Sequence, residues 1–222
     1  AFNYDMTQNF DDAMYISGPS DQGIDNYFLN YATGVPFGNI LMQRGEDIED
    51  AYLDIGNVYG YSAQQAFLGY YGGIIDPLDE SDENGTDYIS NARYTQLDQS
   101  YSQSTSGQNN RMTTNFASQY KDFLYMGASL NFNFMNYNKY TTLQERGFAP
   151  NSEISYTTFD NFLHTHGFGF SFSLGAIAKV NEFFRVGASY ESPTWYDLYD
   201  ETSQQINSNL ADSDIDYINF DV

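Results

Sequence analysis

Cysteine is missing from all 222 residues, so neither a disulfide framework nor a thiolate metal site is open to this chain. Basic charge is almost as scarce. Lys and Arg number 8 against 30 Asp and Glu, a formal net charge of −22, which argues against a nucleic-acid partner because such binding works through neutralised phosphates. No apolar run approaches the ~20 residues of a membrane helix. The 2 histidines, His164 and His166, share a strand face without a third ligand nearby in sequence, so no metal role is assigned to them. Gly167-Phe168-Gly169 precedes no helix and is not a dinucleotide fingerprint. Ser, His and Asp never gather at a spacing that reads as a catalytic set, and an enzyme is not expected.

Aromatic residues, by contrast, are abundant: 21 Tyr and 18 Phe help bring the aromatic share to 18%, and Tyr in particular suits the girdles of a membrane–water boundary. Many of them alternate. From Phe123 to Tyr137 the even positions are Leu124, Met126, Ala128, Leu130, Phe132 and Phe134, and the odd ones include Gly127, Ser129, Asn131 and Asn133. From Gly167 to Val180, Phe168, Phe170, Phe172, Leu174, Ala176 and Ala178 alternate with Gly169, Ser171, Ser173, Gly175 and Lys179. A third segment sets Phe184, Val186, Ala188 and Tyr190 against Arg185, Gly187, Ser189 and Glu191. Period two puts these sets on opposite faces of strands.

The length of the greasy face decides between a sandwich and a membrane strand, since ~9–11 tilted residues cross a bilayer. Arg185 and Glu191 would be costly in a dry core and are accepted by a wet lumen. We therefore expect Asn131, Asn133, Lys179, Arg185 and Glu191 to line a lumen, and Leu130, Phe132, Phe170 and Phe172 to face lipid. Matching parity across the turns requires odd loops: Lys121-Asp122-Phe123 between Tyr120 and Leu124, and either three residues between Lys179 and Phe183 or five between Ala178 and Phe184. Short turns mark the periplasmic rim of such barrels.

The run HGFGFSFSLGAIAKVNEFFRVGASYESPTWYDLYDE, with DFLYMGASLNFNFMNYNKY before it, resembles the outer-membrane transporters of long-chain fatty acids and aromatic hydrocarbons, the FadL/TodX family. The signs are a Gly-rich strand ending in a short turn, the following FRVGASY strand, and the step Ser192-Pro193-Thr194-Trp195-Tyr196. The likeness is specific over Met112 to Asp200, looser over Ala1 to Gly34, and absent between. It implies part of an all-β transmembrane antiparallel β-barrel of about fourteen strands with an N-terminal plug, passive uptake of hydrophobic small molecules, and residence in the bacterial outer membrane among lipid and lipopolysaccharide. A second reading makes the barrel an accessory or docking subunit of a secretion or surface complex, with an outer-membrane protein as partner. A soluble β-rich surface protein is a third. Counting five or six spanning strands, below the eight of the smallest barrels, we expect residues 1–222 to be the middle of a longer protein, with core barrel strands over 94–200.

Residues 18–87 read as a helical extracellular insertion. Asp21 is placed to cap a helix with Ile24, Tyr27, Phe28 and Tyr31 on one stripe, ending at Gly34. Ile48, Ala51, Tyr52 and Ile55 mark a second, and Ser62 with Gln65 spells a capping box for a third that carries Phe67, Tyr70 and Tyr71 and stops at Gly72-Gly73. These stripes either pack on each other or open a groove in which Tyr27, Phe28, Tyr31, Phe67, Tyr70 and Tyr71 capture an apolar ligand. Trp195 and Tyr196 are then the next contact or the outer aromatic girdle. In the acidic stretch 76–87, Glu80, Asp82, Asn84 and Gly85 imitate the start of a Ca²⁺ loop, but Glu replaces the first Asp and Asn91 holds the twelfth position. A solvated tip is the expectation there. The same holds for Asp212, Asp214 and Asp216, with Ca²⁺ the alternative. Tyr88 to Tyr120 is expected to be one long descending strand, with a break at Gly107.

Overall fold

A computed structural model describes residues 1–211 and 218–221. It contains ten strands: β1 (Phe2–Asn9), β2 (Asp12–Ser20), β3 (Ile75–Pro77), β4 (Tyr88–Ser90), β5 (Leu97–Tyr120), β6 (Leu124–Arg146), β7 (Thr157–Lys179), β8 (Arg185–Glu191), β9 (Trp195–Ser208) and β10 (Ile218–Asp221). Helices α1 (Ile24–Ala32), α2 (Ile48–Tyr59) and α3 (Tyr61–Tyr71) lie between β2 and β3, with a 3₁₀ turn at Phe37–Ile40. Eight strands form one sheet in the order β1-β5-β6-β7-β9-β10, with β2 also on β5 and β8 also on β7; β3 and β4 form a separate antiparallel pair. Among the described residues no pairing joins the ends of that order into a ring. Among the described residues no helix is long and apolar enough to cross a membrane, which says nothing about strands.

The chain divides into two compact units. Unit 1 comprises residues 1–12, 105–139 and 164–200, and unit 2 comprises 13–104, 140–163 and 201–222. Unit 1 is purely sheet. The three-residue turn 121–123 joins β5 to β6 as the parity required, with Lys121 at φ 48°. The β7–β8 turn keeps the expected parity but shifts by two residues: Lys179 pairs with Arg185 and Ala178 with Val186. Val180 and Asn181 both donate backbone N–H groups to the carbonyl of Phe184, so the three-residue loop runs from 181 to 183. The Asn181 side chain accepts from the N–H groups of Phe183 and Phe184 and fixes that loop.

Three features of the sheet differ from the sequence reading. The long strand begins at Leu97, not Tyr88, because residues 88–90 pair with β3 instead. Gly107 does not break β5; at φ 119° it is a kink where a Cβ would stand 2.2 Å from the Asn136 carbonyl, so only glycine lets β6 come this close. The third alternating segment is cut at Ser192-Pro193-Thr194 into β8 and β9. Pro193 cannot donate to a ladder. Ser192 fills the gap, with its N–H donated to the Phe172 carbonyl and its Oγ accepting from the Phe172 N–H.

Unit 2 holds the hydrophobic core. Ile24, Phe28, Tyr52, Ile55, Phe67 and Leu68 from the helices pack with Ile75, Ile154, Phe159 and Ile206. The helical periods predicted these inward stripes, but two caps differ. α1 begins after Gly23 without a side-chain cap, and its first N–H is donated to Glu145 Oε1 at 2.8 Å, which leaves Asp21 no role there. α3 begins after Gly60 (φ 87°), so Ser62 lies inside the helix and no capping box forms. Gln65 is drawn into the core instead, donating to Gln204 Oε1. The helix does stop at Gly72, as expected.

Candidate functional site

The odd-numbered residues of β5, β6 and β7 in unit 1 make a side-chain ladder. Thr113 Oγ1 donates to Asn131 Oδ1 at 2.9 Å, Asn131 Nδ2 donates to Ser171 Oγ at 3.3 Å, Arg111 Nε donates to Asn133 Oδ1 at 3.1 Å, and Ser129 Oγ donates to Asn115 Oδ1 at 2.6 Å. Asn131 and Asn133 are 5% and 0% exposed. A buried amide without partners would cost roughly 1–3 kcal/mol by mutational measures; lateral pairing satisfies both ends of Asn131 and the Oδ1 of Asn133, while Asn133 Nδ2 is left without a partner. Below the ladder the same face widens into a trough of about 830 Å³, floored by small residues such as Gly127, Ser129, Ser173, Gly175 and Gly187 and flanked by Tyr125 and Ile177.

The even positions behave differently. Phe132 lies against Phe168 and Phe170 with centroids 6.0 and 5.5 Å apart, Phe134 against Phe168 at 5.6 Å, and Phe172 against Tyr190 and Trp195 at 6.0 and 6.3 Å. These rings contact their neighbours along one surface, and Phe134, Phe168 and Leu174 remain 41–50% exposed. Cross-strand aromatic contacts of this kind contribute roughly 0.2–1 kcal/mol each. The five residues expected in a lumen share the face opposite these rings: Lys179 pairs with Arg185 and Ser173 with Glu191, in register with the ladder face. Asn131 and Asn133 are buried in the ladder, whereas Arg185 and Glu191 are exposed.

No protein-family model, no curated protein and no solved structure matches the chain.

Trp195 and Tyr196 part company. Trp195 stacks on Phe172 among the even-face rings. Tyr196 turns to the polar face, where its ring covers Gly169 so closely that a Cβ there would meet Cε1 at 2.6 Å, and its hydroxyl accepts from Asn109 Nδ2 at 3.2 Å. Sequence reasoning treated the two as one aromatic step. Adjacent residues of a strand face opposite ways, so the pair had to separate; the interruption at Pro193 resets the phase of β9 against β7 and sends Trp195, the odd-numbered one, to the ring face.

The six rings expected to capture a ligand are mostly spent in the core of unit 2. Phe28 and Phe67 are fully buried, so no ligand reaches them without opening the helices, and this corrects their assignment to a groove. Phe28 packs edge-on against Phe159 at 5.6 Å, and Phe67 lies 4.5 Å from Tyr71. Tyr70 stacks edge-on with Phe37, and Tyr71 donates no groove wall but accepts the Met42 N–H. Tyr27 and Tyr31 sit at the margin, in contact with each other at 4.9 Å, and Tyr31 meets Tyr61 at 5.4 Å.

Polar groups missed by the sequence reading hold this core together. Tyr27 donates to Gln65 Oε1, while Gln65 Nε2 and the Tyr52 hydroxyl both donate to Gln204 Oε1, whose Nε2 donates to Asn161. Burial pushes the Tyr27 and Tyr52 hydroxyls well above the ordinary phenol range. Two buried carboxylates stand at the start of α1. Glu145 accepts from the Ile24 N–H, Gln99 and Thr157, and Asp25 accepts from Tyr94, Asn26 and Ser90. Burial raises the Glu145 carboxyl, with the nearby Asp25 charge adding to it and three hydrogen bonds opposing. Burial, with the Asp25 contact, pushes the Tyr94 hydroxyl up to about 12.

The Ca²⁺ reading of the acidic stretch 76–87 gains no support from geometry. Asp79 and Asp82 turn their carboxylates onto the backbone N–H groups of Ser81 and Asn84 two residues on, closing local turns at an exposed tip. Asn91, the would-be twelfth ligand, donates to the Gly73 carbonyl. Asp212, Asp214 and Asp216 lie outside the described residues. His164 and His166 stack on each other at 4.9 Å, and His166 stacks on Tyr199 at 5.8 Å.

Proposed function

We propose that this chain is part of an outer-membrane β-barrel that lets hydrophobic small molecules, fatty acids or aromatic hydrocarbons, pass across the membrane without energy input. The observation that carries the reading is the two-faced sheet of unit 1: hydrogen-bonded amides and hydroxyls on one side, exposed phenylalanine rings on the other. In a water-soluble sandwich the ring face would be the buried one. Here it is the reverse, and a hydrocarbon solvent accounts for exposed rings as a wet interior accounts for Asn131 and Ser171. The segments 105–120, 124–139 and 164–179 of β5, β6 and β7 each exceed the ~9–11 residues needed to cross. The resemblance over Met112 to Asp200 supplies the substrate class.

Reconstitution tests this directly. Purified protein in liposomes should show strands tilted across the bilayer by oriented infrared spectroscopy and should accelerate loading of a fluorescent fatty acid. Protein that stays soluble and monomeric without detergent would defeat the proposal.

The second reading, an accessory or docking subunit, draws on one observation: Phe28 and Phe67 are consumed in the helical core, so the insertion behaves as a packed domain more than as an open groove. Cross-linking in intact cells that recovers one discrete outer-membrane partner, with no fatty-acid uptake, would favour it.

A further inference from the structure

Tyr196 and Asn109 belong to strands that are not neighbours. Two strands, β6 and β7, separate β9 from β5 in the sheet, so three spacings of about 4.8 Å lie between their backbones along the surface. A hydrogen bond of 3.2 Å nevertheless joins the Tyr196 hydroxyl to the Asn109 amide. The side chain must therefore run over the intervening strands. Gly169 of β7 is the notch that lets it do so, being without a Cβ where the ring passes. The strands also approach closely here: at Gly107 and Gly167 a Cβ would stand 2.2 and 2.1 Å from the carbonyl oxygens of Asn136 and Asp197 on the neighbouring strands.

Polar atoms without partners lie on the strands that this bar crosses. Asn109 Oδ1 and Asn133 Nδ2 are both buried and unbonded. Asn133 is 0% exposed, and its other amide atom already accepts from Arg111. Arg111 and Asn109 are two residues apart on β5, so the Tyr196 hydroxyl ends one same-face step, about 7 Å, from the Arg111–Asn133 pair. Tyr196 as a whole is 42% exposed, and one neutral hydrogen bond holds its far end.

We propose that Tyr196 is a movable strap across the polar face of unit 1, closing off a recess lined by Arg111, Asn133 and Asn109, and that rotation of its side chain opens the recess to water and to the polar groups of solutes. With the strap closed, Asn133 is shut away from solvent with one amide hydrogen pair unused. With it open, that donor and the Asn109 carbonyl face whatever occupies the polar side of the sheet. The strap restricts passage along a water-lined interior, which rests on the barrel reading; its opening does not.

The absence of native cysteine allows a direct test in detergent-solubilised full chain. Asn133→Cys should react slowly with a water-soluble maleimide. Adding Tyr196→Ala should raise that rate tenfold or more, and adding Tyr196→Phe, which removes only the hydroxyl anchor, should give an intermediate rate. Asn109→Ala, which leaves the ring in place, should match Tyr196→Phe. Equal rates in all four proteins would overturn the strap. If Asn133→Cys fails to fold, the same series on Thr113→Cys, next to Arg111 on the same strand face, carries the comparison. In bilayers, Tyr196→Ala should then raise single-channel conductance; an accelerated thiol rate with no membrane insertion would sink the barrel reading and leave the strap standing.

Discussion

Asn133 and Phe132 are adjacent in sequence and opposite in environment, and the free-energy difference between their faces is measurable. Phe132→Arg and Phe170→Arg should each lower the stability of the membrane-inserted protein by about 2–4 kcal/mol, the cost of a charge near the bilayer midplane. Lys179→Arg, on the other face, should change it by less than about 0.5 kcal/mol. Urea unfolding in liposomes measures both, and equal losses would reverse the faces. Glu145 gives a residue-scale prediction for unit 2. Its carboxyl is raised on folding, so the native state holds the proton more tightly than the unfolded chain does. The resulting stabilisation is full below the unfolded carboxyl value and is lost as pH rises through the folded one. Glu145→Gln, which keeps acceptors for the Ile24 and Gln99 donors, should therefore melt higher than wild type at pH 8, with the gap closing toward pH 4. Glu145→Ala should melt lower at both pH values, by the equivalent of about 1–3 kcal/mol, because buried donors lose their acceptor. Helix-specific circular dichroism reads all three.

At the scale of elements, periods were legible in the sequence and termini were not. The stripes Ile24/Phe28 and Ile48/Ala51/Tyr52/Ile55 fall inward as the 3.6-residue spacing demands, because burying apolar area is a property of the whole stripe. Caps depend on single hydrogen bonds, and a partner distant in sequence can displace the local one. Glu145 does this to Asp21 at a separation of 121 residues, and Gln204 does it to the Ser62–Gln65 box at 139. Parity in the sheet was legible for the same reason as the helical stripes, whereas the two-residue shift at the β7–β8 turn came from Asn181 bonding its own loop. The break at Pro193 was visible, and alternation alone puts Trp195 and Tyr196 on opposite faces, but which of them joins the rings depends on the phase of the strand beyond the break and required the neighbouring strand. Close packing yields a further test. A Cβ on Gly69 would stand 2.8 Å from the Phe28 Cβ, so Gly69→Ala must push α1 from α3. Alanine gains about 1 kcal/mol in helix propensity, yet overpacking costs about 1–3. The variant should therefore be no more stable than wild type, by thermal melting, and a clear gain would show that α1 moves freely.

For the molecule as a whole, the insertion is either a capture device or a structural one, and deletion distinguishes them. Replacing residues 21–73 by a short linker, with surface expression matched, should leave fatty-acid uptake within about twofold if the rings serve only the core, since Phe28 and Phe67 never meet solvent. A tenfold fall would restore the capture role to Tyr27 and Tyr31 at the margin.

The same insertion has a consequence for the order of folding. Strands β5, β6 and β7 are sequential neighbours, joined by a three-residue turn and by the loop 147–156, so their pairing is local and fast to nucleate. β2 must instead find β5 across residues 21–96, a closure whose entropic cost grows with the length of loose chain, by about 0.6 kcal/mol per doubling. Helices that form within this stretch shorten that loose chain before their core is completed by Ile154, Phe159 and Ile206. Helix α1 then arrives already tethered beside β5 through Gln22 and Gln99. The helices would thus act as an internal chaperone for the sheet's first edge, and pulse-labelled hydrogen exchange should find Phe28 and Phe67 amides protected before those of β2.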